Sequence, residues 1–214
     1  MRVGILGSGL MGGKLGILFA RAGHDVVFSY ARNQKKLERL AREAGKNARA
    51  GTPAEAALDA DALLLAVHWL RIDDVLGQVG GLKDKAIVTC SLPMNADNTE
   101  LVVGRTTSGA EVLARRLPQA RIAAAFNTIP SEVLFDVYAA RRKATRPSLV
   151  YCGDDARSKQ VAAQLIRDVG FDPIDAGPLS IARYTEPFAL LVAQLAYEGK
   201  GGPELAYRFE RFGK

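Results

Sequence analysis

Six residues near the start of the chain, Gly7-Ser8-Gly9-Leu10-Met11-Gly12, have the G-x-G-x-x-G spacing that cradles a pyrophosphate. The first glycine permits a tight turn and the second lets backbone approach the ligand. The third lets a helix pack on a strand, while the N–H groups and partial positive charge of that helix face the anion. The spacing alone is a weak signal, but here an apolar run, Val3-Gly4-Ile5-Leu6, precedes it and a helical pattern with Leu15, Leu18 and Phe19 follows. That context predicts dinucleotide binding through Gly7, Ser8, Gly9, Leu10, Met11 and Gly12. The adjacent Gly13-Lys14 does not make a nucleoside-triphosphate loop, because Ser8 stands where that motif needs glycine and Leu15 where it needs Ser or Thr.

The second strand, Asp25-Val26-Val27-Phe28-Ser29-Tyr30, has no acid at its carboxyl end, where an NAD enzyme places a carboxylate on the ribose. Asp25 is at the wrong end, about 16 Å away at ~3.3 Å per residue. The stretch instead offers the hydroxyls of Ser29 and Tyr30, then Arg32, Lys35 and Lys36. These groups suit a 2′-phosphate, which a guanidinium grips with a two-pronged fork, so the expected cofactor is NADP, with Ser29, Tyr30, Arg32 and Lys36 around its phosphate. Some of those cations belong simply to the solvated start of a helix over Gln34–Ala44.

Ligands of a doubly wound sheet lie beyond the carboxyl ends of its strands. The residues there are Val67-His68-Trp69, Ser91-Leu92-Pro93, Asn127-Thr128-Ile129-Pro130 and Gly177-Pro178-Leu179-Ser180. Val67, His68, Ser91, Pro93 and Asn127 are expected against the cofactor. His68 is the natural proton donor, with loop packing the equal alternative, and Thr128 is the second candidate catalytic residue. Trp69 reads first as a packing anchor, and His24 as a cation at a helix end. No Ser-Lys-Asn or Tyr-x-x-x-Lys arrangement of the kind that protonates ketones is present. Hydride transfer to a flavin-like ring needs orientation more than acid, so the sparse site favours such an acceptor.

Strands and helices alternate along the chain. Further strands are expected at Ala62–Val67, Ala86–Cys90, Arg121–Phe126, Leu149–Cys152 and Phe171–Ile174, and helices at Ala54–Leu58, Ser108–Leu117, Ser131–Ala140 and Asp155–Val169. This is a doubly wound, Rossmann-type α/β parallel sheet with C-terminal helices. A dinucleotide-binding domain over 1–175 and a helical extension over 176–214 are expected, the latter packed on the core or on a second subunit of a homodimer. Ser180–Glu198 carries Ile181, Tyr184, Phe188, Leu191 and Leu195 at helical spacing and reads as a helix buried on most sides. Pro187 would kink it or mark a first turn capped by Thr185, and a last helix is expected over Glu204–Phe212.

With 214 residues, 48% apolar, and a net charge of +6, the chain can build one generous core. No apolar run approaches a membrane span and no signal segment precedes the first strand, so a cytoplasmic location is expected. Cys90 and Cys152 lack metal-ligand spacing and read as reduced, mostly buried thiols; no metal is expected. The basic patch Arg141-Arg142-Lys143 with Arg146 lacks the aromatic interleaving of a nucleic-acid site. A small molecule is the expected partner, with no nucleic acid and no membrane.

Together, the glycine loop, Asn127-Thr128-Ile129-Pro130, Cys152-Gly153-Asp154-Asp155 and Asp175-Ala176-Gly177-Pro178-Leu179-Ser180 with Arg183 resemble the NADPH-dependent reductases of the 8-hydroxy-5-deazaflavin coenzyme F420. The cytosolic domains of the STEAP metalloreductases are similar. The resemblance implies a compact, often dimeric reductase passing hydride between NADP and a deazaflavin, or a flavin in its place. It assigns Ser8 to Met11 to the pyrophosphate, Arg32 to the 2′-phosphate and Thr128 to Pro130 to the acceptor side. The chain departs from the family in having Asn127 where histidine is common, and Tyr30, Ala31 and Arg32 where a serine and paired arginines follow strand two. Two other readings stand beside it: an imine or hydroxyacid reductase of the 6-phosphogluconate-dehydrogenase type, and a regulator that senses NADP without turnover.

Overall fold

The apolar run at the start becomes strand β1 (Arg2–Leu6) in the middle of the sheet, paired in parallel with β2 (Asp25–Ser29) and β4 (Ala62–Leu65). The computed structural model describes residues 1–213, and Lys214, the end of the expected 176–214 extension, lies outside them. With β3 (Ala48–Ala50), β5 (Ala86–Thr89), β6 (Arg121–Ala125), β7 (Ser148–Gly153) and β8 (Asp172–Asp175), the order across the sheet is β3-β2-β1-β4-β5-β6-β7-β8. Connections from β1 run outward in one direction to β2 and β3 and in the other from β4 onward. The crevice this reversal leaves at the carboxyl ends of β1 and β4 is where a doubly wound sheet takes its ligand.

Side chains alternate across the strands, so each face of the sheet builds its own core. Val3, Ile5 and Leu64 point to one side, packed with Leu15, Leu18 and Phe19 of α1 (Leu10–Arg21), Leu37 and Leu40 of α2 (Gln34–Ala44), Leu134 and Val137 of α6 (Leu134–Ala139), and Leu165 and Ile166 of α7 (Ala156–Asp168). Leu6, Leu63 and Leu65 point to the other. There they meet α3 (Pro53–Leu58), Ile72 and Val75 of α4 (Ile72–Gly77), Leu113 of α5 (Gly109–Arg116), and Ala182 at the start of α8 (Ala182–Ala193). Helix starts follow the sequence. Thr52 and Glu55 form a reciprocal cap on α3, and Asn33, Ser108 and Asp155 cap α2, α5 and α7.

The structure departs from the expected pattern in four places. Strand β7 runs antiparallel to β6, so residues 126–147 stay at the carboxyl end of β6 instead of recrossing the sheet. The short β3 and α4 had no clear periodic signal, being too brief for one. Helix α8 is buried through its small residues, Ala182, Ala189 and Val192 with Ala196 beyond, because these allow close approach. Tyr184 (71% exposed), Leu191 and Leu195 face outward, the reverse of the expected burial. Pro187 lies inside α8, and the Thr185 hydroxyl is buried without a partner, not capping.

The fourth departure is the end of the chain. No helix forms over Glu204–Phe212. After Gly199, Gly201, Gly202 and Pro203 the chain runs non-helically beside β7, where Ser148 N–H donates to the Tyr207 carbonyl at 2.8 Å and Phe209 N–H to Ser148 Oγ at 3.0 Å. Glycine and proline stop the helix, and the exposed backbone of β7 offers the tail better partners.

Candidate functional site

The glycine loop connects β1 to α1 at the reversal point of the sheet. Gly7 has φ +111°, and a Cβ there would sit 2.5 Å from the Ala66 carbonyl oxygen. At Gly12 a Cβ would come within 2.0 Å of the Gly7 carbonyl oxygen, so α1 could not start against the loop with any side chain in that place. Gly9 is different. A Cβ there would meet nothing within 4 Å, and Gly9 is the N-cap of α1 with no side chain capping the first turn. Open space and unpartnered first-turn N–H groups are the fit a pyrophosphate requires.

Several of the expected polar groups turn out to hold the loop, not to face the opening. Ser8 is buried, its Oγ donating to the Ser29 carbonyl at 2.9 Å and its N–H to the Tyr30 carbonyl at 3.0 Å. Ser29, expected near the 2′-phosphate, is buried, and its Oγ donates to the Ile5 carbonyl at 2.7 Å, tying β2 to β1. Tyr30 takes a left-handed φ of +55° and donates its hydroxyl to Asp74; burial, then Asp74, pushes that hydroxyl up to about 12. Arg32 is exposed just past β2, and Lys36 is half-buried in the first turn of α2. Both lie at the carboxyl end of β2, on the side of the glycine loop.

Beside the loop opens a cleft of about 370 Å³. Leu10 and Met11 line it from α1, Cys90 and Leu92 from beyond β5, Phe126, Asn127, Ile129, Pro130 and Ser131 from beyond β6, and Ala189, Val192, Ala193 and Tyr197 from α8 and the π-helical turn Gln194–Glu198 that continues it. Among the described residues, none of the lining is Asp, Glu, Lys, Arg or His. Phe126 leaves β6 with φ +65°, an uncommon conformation for a bulky residue that turns Asn127 into the cleft. Lys14 of α1 reaches across to Ser131, with Nζ 3.0 Å from its carbonyl oxygen and 3.3 Å from its Oγ.

The two expected catalytic residues are committed elsewhere. His68 caps the turn Trp69–Arg71, where its Nδ1 accepts from Leu70 N–H at 3.2 Å, and its Nε2 lies 3.2 Å from the Asn95 carbonyl oxygen. The carbonyl can only accept, so the proton sits on Nε2 and is used there. Thr128 is fully buried, and its Oγ1 shares a 2.7 Å hydrogen bond with Tyr207 instead of facing the cleft. Ser91 Oγ donates to the Val67 carbonyl at 2.7 Å, Pro93 is buried against Gly109, and Val67 lies against the loop at Gly7. Val67, Ser91 and Pro93 therefore shape the strand ends through backbone and packing. Trp69 packs under Arg116, whose guanidinium carbon is 5.7 Å from the ring centre, and His24 Nε2 pairs with Asp168 at 2.8 Å.

Leu92 lay in the strand-end segment expected to face the ligand, but sequence reasoning missed Cys90, Asn98, the α8 residues and Tyr197 as lining. Cys90 precedes Ser91 at a strand end and could have been found by the same rule; α8 carries no motif that announces its role. The Cys90 thiol is pushed up to about 12 by burial, so it stays protonated and is no nucleophile. The chemistry the cleft permits is the alignment of apolar, planar groups beside a phosphate-binding helix. Its one hydroxyl-bearing aromatic is Tyr197, whose proton is committed to Glu132 at 2.9 Å. Among the described residues there is no cluster of three or more His, Cys, Asp or Glu placed to hold a metal, and no helix long and apolar enough to cross a membrane.

Comparison with known proteins agrees with this geometry. Residues 2–93 match the family described as NADP oxidoreductase, coenzyme F420-dependent. Metalloreductase STEAP3 of Rattus norvegicus is 30% identical over 192 residues, 88% of this chain, although the chain spans only 36% of the length of that relative. Among solved structures, a candidate F420-dependent NADP reductase from Arthrobacter sp. FB24 superposes with a TM-score of 0.85 at 22% identity, covering 99% of this chain and 100% of that one. A reductive aminase from Aspergillus terreus in complex with NADPH and ethyl-5-oxohexanoate superposes at 0.66 and 18% identity, over 90% of this chain and 61% of that one. At those identities the two structures establish the fold, a mostly parallel Rossmann-type sheet with helices at its C-terminal end. The resemblance read from the motifs holds: residues 2–93 carry the pattern of the family described as NADP oxidoreductase, coenzyme F420-dependent, and most of the chain is similar to part of a STEAP metalloreductase.

Proposed function

We propose that the chain is a reductase that moves hydride between NADPH and a planar, flavin-like acceptor, a deazaflavin or a flavin. The observation that carries this reading is the cleft itself. A mostly apolar slot, free of Asp, Glu, Lys, Arg and His and with the hydroxyl of its Tyr197 engaged by Glu132, adjoins the free N-terminus of α1, an arrangement that suits hydride transfer between two stacked rings better than protonation of a ketone or imine. Bound NADPH would supply the hydride. The backbone of Gly9 to Gly12 would hold its pyrophosphate, Arg32 and Lys36 its 2′-phosphate, and Asn127 would offer its amide to the polar edge of a ring. Val67, His68, Ser91 and Pro93 would fix the strand ends against which the nicotinamide lies.

Residues 176–214 act in this reading as an extension that closes the acceptor side. The outward apolar face of α8, with Tyr184, Leu191 and Leu195 exposed, supports a homodimer contact. The test is the loss of NADPH absorbance with purified protein and the oxidised deazaflavin coenzyme, alongside riboflavin and a cyclic imine. Saturable turnover of either flavin-type ring is expected. Turnover of the imine alone would establish the alternative reductase, and tight NADPH binding with no acceptor consumed would establish a sensor.

A further inference from the structure

Four side chains cross the mouth of the cleft in one continuous chain of hydrogen bonds. Lys14 Nζ on α1 donates to Ser131 Oγ at 3.3 Å, Ser131 Oγ to Glu132 Oε2 at 3.3 Å, and the Tyr197 hydroxyl to the same Glu132 oxygen at 2.9 Å. The cofactor-side helix, the loop after β6 and the π-helical turn after α8 are thereby joined. We propose that this strap, with Tyr197 as its outer wall, is a specificity-determining element of the reductase: it sets the width of the cleft so that flat acceptors enter and ring systems bulky across their plane do not. The inference rests on the reductase reading and goes further by assigning the residue that limits acceptor shape.

Three observations support it. Tyr197 both lines the cleft and is 55% exposed, so its ring stands at the boundary between site and solvent, not in the core. The α8 residues one and two turns before it on the same wall are Ala193 and Ala189, which leave depth for a ring, whereas Tyr197 is the one bulky aromatic there. The backbone there is also unusual. A π-helical turn is rare, occurs often at functional sites, and rotates the side chains that follow it out of the α-helical register. Here it spans Gln194–Glu198 and ends at Gly199, where a Cβ would lie 2.2 Å from the Leu195 carbonyl oxygen. Glycine at 199 therefore lets the chain close on the turn that presents Tyr197. The Tyr197 hydroxyl keeps its proton across the working pH range, since burial and then Glu132 push it up to about 12, so the donor side of the strap does not switch off.

The experiment compares two acceptors with the same redox ring, lumiflavin and lumiflavin bearing a tert-butyl group on its benzenoid edge, with NADPH saturating. It records kcat/KM and, by fluorescence quenching in the presence of NADP⁺, Kd for each. Wild type should prefer the planar ring by about tenfold or more, the order of discrimination that shape alone supplies. Tyr197→Ala should erase most of that preference by raising kcat/KM for the bulky ring, with KM for NADPH unmoved. Tyr197→Phe and Glu132→Ala, which cut the strap but keep the ring or its neighbours, should each fall between the two. A planar-to-bulky ratio unchanged in Tyr197→Ala, in rate and in Kd, overturns the proposal. Binding of the planar ring without turnover would overturn the reductase reading while the Kd ratio still decides the wall. Failure of wild type to bind either ring overturns both.

Discussion

The loop that ends β1 is held by close glycine packing and two short local hydroxyl ties, whereas the opposite side of the cleft is held by side chains drawn from far along the chain. Gly7 and Gly12 pack directly on carbonyl oxygens, and Ser8 and Ser29 close the gap between neighbouring strands. On the other side, in and behind the cleft wall, the ties join residues separated by 117 positions (Lys14 and Ser131), 79 (Thr128 and Tyr207), 77 (Gly109 and Glu186) and 65 (Glu132 and Tyr197). A wall made of backbone has one shape, while a wall made of side chains can be altered one residue at a time.

The sharpest way to break the comparison is on the rigid side. Gly12→Ala places a Cβ 2.0 Å from a backbone oxygen that cannot yield, so a loss of about 3 kcal/mol in stability and loss of NADPH binding are expected. Gly9→Ala should do the opposite. Its Cβ meets no protein atom, so stability should fall by no more than about 1 kcal/mol, the scale of an N-cap change. NADPH affinity should still drop by at least about tenfold, because the new methyl occupies the space a pyrophosphate needs. Thermal denaturation and NADPH titration of the two variants check this, and unchanged NADPH affinity in Gly9→Ala would show that the loop binds nothing at Gly9.

On the side-chain wall, α8 is anchored by a buried carboxylate. Glu186 accepts from Gly109 N–H at 2.9 Å and Ala110 N–H at 3.0 Å at the start of α5. Burial raises its carboxyl from 4.5 to about 7 against the pull of those donors, with Glu111 nearby adding to the rise; Glu111 itself is paired with Arg183. Between those values the folded chain binds more protons than the unfolded one. Stability from this group is therefore full at low pH and is lost as pH rises through about 7. Wild type should weaken relative to Glu186→Gln on going from about pH 5 to about pH 8, by at most about 3 kcal/mol. Parallel pH profiles of the two proteins would show that Glu186 is not the group responsible.

Returning to the cofactor side, Arg32→Ala should weaken NADPH by ~1.5–3 kcal/mol more than NADH, the value of a lost charge-assisted contact. Equal losses would move the 2′-phosphate to Lys36 or elsewhere.

The same contrast explains how much could be read from the sequence. The glycine loop, α2 with its exact span Gln34–Ala44 and the strand cores follow from local spacing, because turn geometry and periodicity act over a few residues. The structure gives Ser29, His68 and Thr128 protein partners that sequence could not foresee, since a hydroxyl or imidazole at a strand end looks the same in sequence whether it faces a ligand or a neighbouring group. The burial of α8 was misjudged for a related reason. Large apolar residues predict a buried face, but close packing on α5 selected alanines and left Tyr184 and Leu191 outside. Tyr197 and Tyr207 had no local signal at all, because each gains its role only from a partner brought near by the fold.

Tyr207 offers the finest test of the side-chain wall. The last paired residues of β6 and β7 are Ala125 and Tyr151, and the left-handed Phe126 then carries β6 away from its neighbour. Val150 N–H is left to donate to the Tyr207 hydroxyl at 3.3 Å, and that hydroxyl in turn bonds Thr128 Oγ1 at 2.7 Å. One phenol thus completes the ladder where the strands part and holds the base of the Asn127–Ser131 loop, while its ring packs edge-on against Phe188 of α8 at 5.2 Å between ring centres. Tyr207→Phe keeps the ring and should cost about 1–2 kcal/mol for the buried groups left unpaired. Thr128→Val should cost less, and the double variant less than the sum, since both ends of one bond are removed together. A loop that has lost its anchor should raise KM for the acceptor while leaving KM for NADPH and the Gly9 side unchanged. Equal change in both KM values would mean that Tyr207 stabilises the whole molecule and that the two walls of the cleft are not independent.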